Sequence, residues 1–166
     1  MNPGEISRVI DQYRSRGLFL DANLTVLLVV GALSLQRLAR HKRTSAYTPE
    51  DFEVLRRFCG LFSRLVTLPN VLTEASDLLR EDEEQVILKN LCIDVWEEHT
   101  VASRKAAAAR EYPYLKLADS AILQEIVGSF LVLSDDGPLV AAIRARNGAA
   151  LEFDWLRLIG GSATLL

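Results

Sequence analysis

The sequence has few of the residues that mark several common classes of protein. Its two cysteines, Cys59 and Cys92, lie far apart and without a Cys-x-x-Cys spacing. This excludes a disulfide scaffold and argues against a zinc site. Each cysteine has apolar neighbours, so we predict two reduced thiols in the core. The two histidines, His41 and His99, lack metal-ligand spacing to other donors.

The sequence also lacks a long apolar run. Residues 24–35 form its longest apolar stretch, and these twelve residues fall short of the ~20 that a bilayer needs. Asp21 and Asn23 stand directly before this stretch. The acidic residues Glu5 and Asp11 near the N-terminus do not suit a signal peptide. We therefore expect no membrane span and a cytoplasmic protein.

Glycine-rich phosphate loops of the Gly-x-x-x-x-Gly-Lys and Gly-x-Gly-x-x-Gly types are missing. Their absence disfavours a phosphatase or nucleotide-binding protein of the α/β class. What remains is ordinary: 166 residues, 49% apolar and 25% charged, enough for a single domain with a substantial core.

Short apolar runs alternate with helical patterns along the chain. Runs typical of strands occupy residues 18–20, 65–68, 130–133 and 150–153. Helices are predicted before and between them, including one from residue 24 towards 38 and a long one from 86 to about 109. Residues 112–117 suit an irregular segment or a short strand. This order predicts an α/β fold with a parallel sheet and right-handed crossovers.

Acidic residues follow two of these strands. Asp21 comes directly after the first strand, and Asp135 and Asp136 follow residues 130–133. Carboxyl ends of parallel strands share one edge of the sheet, where open α/β folds bind ligands. A structural role as a helix N-cap is an alternative for Asp21 or Asn23.

Two further acids are predicted beside the same edge. Glu74 shares a helical face with Val71 and Leu78, so we expect it to point inward. Asp119 lies in the first turn of the helix that starts near residue 118. The alternatives are an arginine partner for Glu74 and a capping role for Asp119. Carboxylates that converge repel one another, and Mg²⁺ or Mn²⁺ would relieve this repulsion.

Four segments together resemble a known family. Leu-Asp-Ala-Asn at 20–23, Val-Leu-Thr-Glu at 71–74, Leu-Ala-Asp-Ser-Ala-Ile at 117–122 and Val-Leu-Ser-Asp-Asp at 132–136 resemble, in order, the acidic motifs of PIN-domain ribonucleases. The resemblance covers about residues 18–156. It implies a PIN-like three-layer α/β/α fold and an endoribonuclease that hydrolyses single-stranded RNA with Mg²⁺ or Mn²⁺.

The resemblance also assigns roles to individual residues. It implies that the metal is held and the reaction catalysed by Asp21, Glu74, Asp119 and Asp136. Asn23, Ser134 and Asp135 would contact these acids or the substrate. Asp136 is preferred to Asp135 because the family pattern is a hydroxyl residue, one variable residue and then the acid. Asp135 would then cap the following helix or face solvent.

The domain boundaries that follow are a helical extension at 1–17, a nuclease domain at 18–157 and a tail at 158–166. The compact toxin members of the family usually begin at the first strand, and residues 81–112 resemble an insertion. Two biological roles therefore stay open. The protein could be a toxin held by a small antitoxin, or it could be a stand-alone or defence nuclease. Family members are often dimeric, so a homodimer is expected. A catalytically inactive PIN-like interaction module is the alternative.

A basic tract follows the long apolar stretch. Arg37, Arg40, Lys42 and Arg43 stand close together in a chain whose formal net charge is −3. Two bound divalent cations would reverse that sign. We predict that these four residues contact RNA phosphates, with a solvated protein surface as the alternative.

Overall fold

A parallel sheet forms the centre of the computed structural model, which describes residues 3–160. Its five strands lie in the order β3-β2-β1-β4-β5, and every neighbouring pair is parallel. Their bounds are β1 (Leu18–Leu20), β2 (Leu65–Thr67), β3 (Trp96–Glu98), β4 (Leu131–Ser134) and β5 (Ala150–Glu152).

Helices connect and cover these strands. Within residues 3–160 they are α1 (Pro3–Tyr13), α2 (Ala22–Leu33), α3 (Leu35–Leu38), α4 (Pro49–Cys59), α5 (Pro69–Leu78), α6 (Asp82–Asp94), α7 (Ser103–Ala107), α8 (Tyr112–Glu125), α9 (Gly137–Ala145) and α10 (Phe153–Gly160). None of them combines the length and apolarity that crossing a bilayer requires.

The strands send alternate side chains to two separate cores. Leu18 and Leu20 of β1 pack in a core with α1, α2, α4 and α10, whereas Phe19 packs in a core with α8 and α9. Such alternation follows from the two-residue period of a strand. Helices on both faces of a parallel sheet make three layers, so the predicted α/β/α architecture is confirmed.

Several helix starts follow from local capping chemistry. The Thr48 hydroxyl accepts the Asp51 N–H at 3.2 Å, while the Asp51 carboxylate accepts the Thr48 N–H at 2.8 Å. Pro49 then occupies the first turn of α4. This reciprocal pair satisfies two backbone donors that a helix start leaves unpaired, which is why the start was predictable.

The predicted long helix from 86 to about 109 is wrong. Helix α6 ends at Asp94, and β3 then pairs with β2, placing Trp96 beside Leu65. The backbone groups along that edge of β2 need partners, and β3 provides them across about thirty residues of sequence. Helical periodicity within the segment does not report such a distant pairing.

Three smaller predictions also need correction. The helix after residue 24 breaks at Ser34, whose backbone is extended, before α3 begins. Residues 112–115 are helical and belong to α8 instead of forming a strand. Cys59 is buried as predicted, but Cys92 is exposed on α6.

The first and the last helix of the described range pack in the core beside the sheet. Ile6, Ile10 and Tyr13 of α1 are buried in the same core as β1 and α2. Leu156 of α10 is buried there as well, and this helix continues to Gly160. The remainder of the predicted tail, residues 161–166, lies outside the described residues.

Gly31 of α2 packs closely against Phe52 of α4, and we expect Gly31→Ala to destabilise the protein. A β-carbon there would lie 2.1 Å from a ring carbon of Phe52. Overpacking of this kind costs about 1–3 kcal/mol. It should exceed the gain of about 1 kcal/mol that alanine brings to a helix. Urea unfolding followed by circular dichroism measures the difference.

Gly137→Ala is the matched control for this prediction. Gly137 also lies in a helix, but a β-carbon at that position meets no atom within 4 Å. We expect its free energy of unfolding to stay within about 1 kcal/mol of wild type. A Gly31→Ala protein as stable as this control would contradict the packing argument.

Candidate functional site

The topology of the sheet places a crevice between β1 and β4. From β1 the chain proceeds outward through β2 to β3, and it then returns to β4 on the other side of β1. At such a switch point the connections diverge, leaving space beyond the carboxyl ends of the two strands. Asp21 follows β1 there, and Asp135 follows β4.

Asp21 is buried and hydrogen-bonded on both carboxylate oxygens. Oδ1 accepts the Leu24 N–H at 2.8 Å, which makes Asp21 the N-cap of α2. Oδ2 accepts the Ser134 hydroxyl and, at 3.1 Å, the Asp135 N–H. The capping alternative is therefore correct for Asp21, and the same side chain also joins β1 to the end of β4.

Burial decides the protonation of Asp21. Loss of water and the nearby charge of Asp135 raise its pKa from 3.8 to about 8. Hydrogen bonds from Ser134 and from the N–H groups of Leu24 and Asp135 oppose this rise. Burial thus favours the protonated form of Asp21 and its three donors favour the ionised form, with a net rise in the pKa.

Asp135 is exposed and held by two side chains from distant parts of the sequence. Its Oδ1 accepts the Asn23 amide at 3.1 Å, and its Oδ2 accepts the Tyr47 hydroxyl. Tyr47 packs edge-on against Phe153, with ring centroids 5.9 Å apart. Burial and the hydrogen bond to Asp135 raise the pKa of Tyr47, so the phenol remains a donor.

Sequence reasoning missed Tyr47. It comes from the connection between α3 and α4, 88 residues from Asp135, and no local pattern links the two.

Asp136 caps α9. Its Oδ1 accepts the Leu139 N–H at 3.0 Å, and its own N–H donates to the Ser134 hydroxyl at 2.9 Å. Of the two roles predicted for Asp135, capping the helix or facing solvent, the structure shows the second, because Asp136 is the cap and Asp135 is exposed. The chain turns directly after Ser134, which brings Asp136, two residues later, to the N-cap position.

A second group of carboxylates centres on Asp119. This residue is half-buried on α8, and burial together with the charges of Asp136 and Glu74 raises its pKa to about 7. Lys116 acts in the opposite direction. Within residues 3–160 no hydrogen bond to its carboxylate is found, in contrast to Asp21.

Glu74 reaches this group from the surface. The expectation that it points inward is wrong, because Val71 and Ala75 are buried while Glu74 is exposed at the edge of α5. It lines a cavity of about 380 Å³ between α5 and α8, which Ala118 also lines.

The structure thus brings the four predicted acids together only in part. Asp119 interacts electrostatically with Asp136 and Glu74, whereas Asp21 interacts with Asp135. In the part of the chain that is described, no three acidic, histidine or cysteine side chains stand close enough to hold a metal as they are. The donor chemistry still fits Mg²⁺ or Mn²⁺, because the group around Asp119 offers carboxylate oxygens alone and gains from added positive charge.

Lys116 has an unusual backbone next to this group. Its φ of 61° and ψ of −166° interrupt α8. Non-glycine residues in such regions cost about 1–3 kcal/mol, and functional sites are where they cluster. The side chain is exposed, and its charge acts on Asp119. No pattern in the sequence predicted this kink.

The predicted basic tract lines a separate cleft of about 630 Å³. Arg40, Lys42 and Arg43 are exposed and form no ion pair within residues 3–160, whereas Arg37 pairs with Glu83. Asp77 and Leu78 line both this cleft and the cavity beside Glu74. The basic cleft and the acidic cavity are therefore neighbours.

Comparison of the chain with protein-family models, curated proteins and solved structures found no match.

We expect Asp21→Asn to change how stability depends on pH. The raised pKa of Asp21 means that its contribution to stability is fully present below its ordinary pKa of 3.8 and is lost as the pH rises through about 8. Asparagine does not ionise, so the stability of the variant relative to wild type should increase from pH 5 to pH 8 by more than about 1.4 kcal/mol, the equivalent of one pKa unit. Urea unfolding at both pH values measures this.

Asp11→Asn controls for the removal of a carboxylate, because Asp11 is exposed on α1. Its free energy of unfolding should follow wild type at both pH values. If Asp21→Asn also runs parallel to wild type, Asp21 has an ordinary pKa and this account of the site is wrong.

Proposed function

We propose that this protein is a metal-dependent endoribonuclease of the PIN type that hydrolyses phosphodiester bonds of single-stranded RNA. One observation carries the proposal: Asp119, Asp136 and Glu74 form a group of like charges at the carboxyl edge of a parallel sheet, and their repulsion helps to raise the pKa of Asp119. Such a group is stable when a cation binds to it. The order of the four acidic motifs supports the same function.

The residues divide into two roles in this proposal. Asp119, Asp136 and Glu74 would hold Mg²⁺ or Mn²⁺. The motifs assign Asp21 to the metal as well, but hydrogen bonds on both of its oxygens support a role in orienting Ser134 and thereby Asp136. When bound, the cation would supply a water of lowered pKa and stabilise the charge that develops on the phosphodiester.

The basic cleft supports RNA as the substrate. Three cations that have no ion-pair partner among residues 3–160 line it, and it shares two lining residues with the cavity beside Glu74. A phosphate backbone bound along Arg40, Lys42 and Arg43 would therefore lie close to the acid group.

We also propose protein partners from the resemblance: a small antitoxin and a second copy of the chain. Val86 and Ile93 support a partner on α6, because they lie seven residues apart on one helical face and are 54% and 67% exposed. A PIN-like interaction module without catalysis is the competing function, and the following experiment separates the two.

We expect purified protein to cleave labelled single-stranded RNA in Mn²⁺ and to lose this activity in excess chelator. Asp119→Asn should lower the rate at least ~100-fold, because removing one carboxylate weakens both metal binding and charge compensation. Its thermal stability should be unchanged or higher, since repulsion is relieved.

Asp11→Asn, at an exposed position of α1, is the matched control and should retain the wild-type rate. Binding of Mn²⁺, measured by calorimetry, should weaken in Asp119→Asn alone. Wild-type protein that neither binds Mn²⁺ nor cleaves RNA would support the interaction module instead.

Neutralising Arg40, Lys42 and Arg43 to glutamine should weaken RNA binding of all sequences alike. The salt dependence of the logarithm of the binding constant should flatten by roughly 0.7 for each phosphate that the variant no longer binds. Arg37 is left unchanged because it is paired with Glu83. Fluorescence anisotropy at several salt concentrations measures the slope.

A control variant changes three other exposed cations to glutamine, with the same change in net charge. These are Arg8, Arg14 and Arg16, which lie on or after α1. The control should keep the wild-type slope. Equal slopes for all three proteins would assign the basic tract to solvent or to a protein partner.

A further inference from the structure

Two tyrosines at the start of α8 are exposed in a way that no other aromatic residue of the chain is. Tyr112 is 38% exposed and Tyr114 is 66% exposed. All other aromatic side chains, each within residues 3–160, are buried or half-buried. Rings left in water forgo the free energy of burial, so both tyrosines remain available to stack on a ligand.

The turn that carries these rings is anchored at both ends. Glu111, directly before it, is buried and forms a two-pronged ion pair with Arg146, whose Nε lies 3.1 Å from the carboxylate. The Glu111 carbonyl accepts the N–H groups of Tyr114 and Leu115 at 3.1 and 2.9 Å, and Leu115 is buried. A ligand would therefore meet rings on an ordered backbone, which lowers the entropic cost of binding.

The same turn leads directly to the acid group. Lys116 follows it with the strained backbone described above, and the next two residues, Leu117 and Ala118, line the cavity that contains Glu74. Asp119 comes next. The rings, an exposed ammonium group and the carboxylates thus succeed one another within residues 112–119.

The charges around the rings indicate the chemistry of the ligand. Arg110 and Lys116, both exposed, flank the two tyrosines in the sequence. Rings with cations on either side suit a ligand that has flat aromatic groups and negative charge, which is the chemistry of unpaired nucleic-acid strands. Duplexes keep their bases stacked inside and do not offer these faces.

We propose that Tyr112, Tyr114 and Lys116 form a binding surface for single-stranded nucleic acid, in which the rings stack on unpaired bases and the Lys116 ammonium contacts a phosphate next to the acid group. This surface deepens the proposed nuclease function and rests on it for the identity of the strand as substrate. It accounts for the exposure of the rings and for a strained backbone that brings a cation to the acids.

Two substitutions of Tyr114 test the stacking. Tyr114→Leu keeps an apolar side chain but removes the aromatic face, and Tyr114→Phe keeps the face but removes the hydroxyl. Fluorescence anisotropy with a labelled single-stranded RNA, in chelator to prevent cleavage, should show roughly tenfold weaker binding for the leucine variant. The phenylalanine variant should bind as wild type does. A duplex of the same sequence should bind to wild type and to both variants with the same affinity.

Two substitutions of Lys116 test the ammonium group. Lys116→Met should weaken binding and flatten the salt slope by roughly 0.7, the effect of one phosphate contact on single strands. Lys116→Gly should remove the same interaction and also raise the melting temperature, because glycine adopts this backbone without strain. Tyr13→Phe, at a buried ring of α1, is a control that should leave RNA affinity unchanged.

The outcomes separate this surface from the nuclease itself. Wild-type affinity and KM in Tyr114→Leu would overturn the surface while RNA cleavage by the wild type still stands. Equally weakened binding in Tyr114→Leu and Tyr114→Phe would also overturn it, because stacking does not need the hydroxyl. Wild-type protein that binds single strands through the rings but cleaves no RNA in Mn²⁺ would overturn the nuclease and leave the surface.

Discussion

The arrangement of the site depends on one buried carboxyl group. Asp21 lies at the end of β1 under the start of α2, where an unsatisfied charge would be costly. The structure meets this cost with three hydrogen-bond donors, and burial still leaves the pKa of the group above its ordinary value. Two of those donors, the Ser134 hydroxyl and the Asp135 N–H, belong to the end of β4, so Asp21 joins the two strands at the switch point of the sheet.

The two acids after this junction, Asp135 and Asp136, have different partners. Asp135 is held by Asn23 and Tyr47, whereas Asp136 caps α9 and acts on Asp119. Asp135 therefore has two side-chain hydrogen-bond donors, whereas Asp136 has one backbone donor and joins a group with an excess of negative charge. This contrast between neighbouring residues is the physical reason why a cation is proposed beside Asp119. The positive charge of Lys116 opposes this excess of negative charge, and its backbone is strained.

The sequence predicted the positions of the acidic residues along the fold better than their orientations. Asp21 and Asp136 follow strands, as predicted, and Asp119 interacts electrostatically with Asp136. The predicted inward orientation of Glu74 was wrong because helical spacing alone does not tell how far the buried face of α5 extends around the helix. Tyr47 could not be identified, since its partner Asp135 lies 88 residues away.

What the sequence by itself determined is local. The apolar runs of β1, β2, β4 and β5 and the helix starts at Thr48, Pro69 and Pro138 follow from side-chain periodicity and capping, which act over a few residues. Only the tertiary structure decided the strand at residues 96–98, the break at Ser34, the kink at Lys116 and the partners of Asp135. The strand and the partners of Asp135 depend on backbone groups or side chains that meet across large sequence separations, where hydrogen bonding and burial outweigh local propensity.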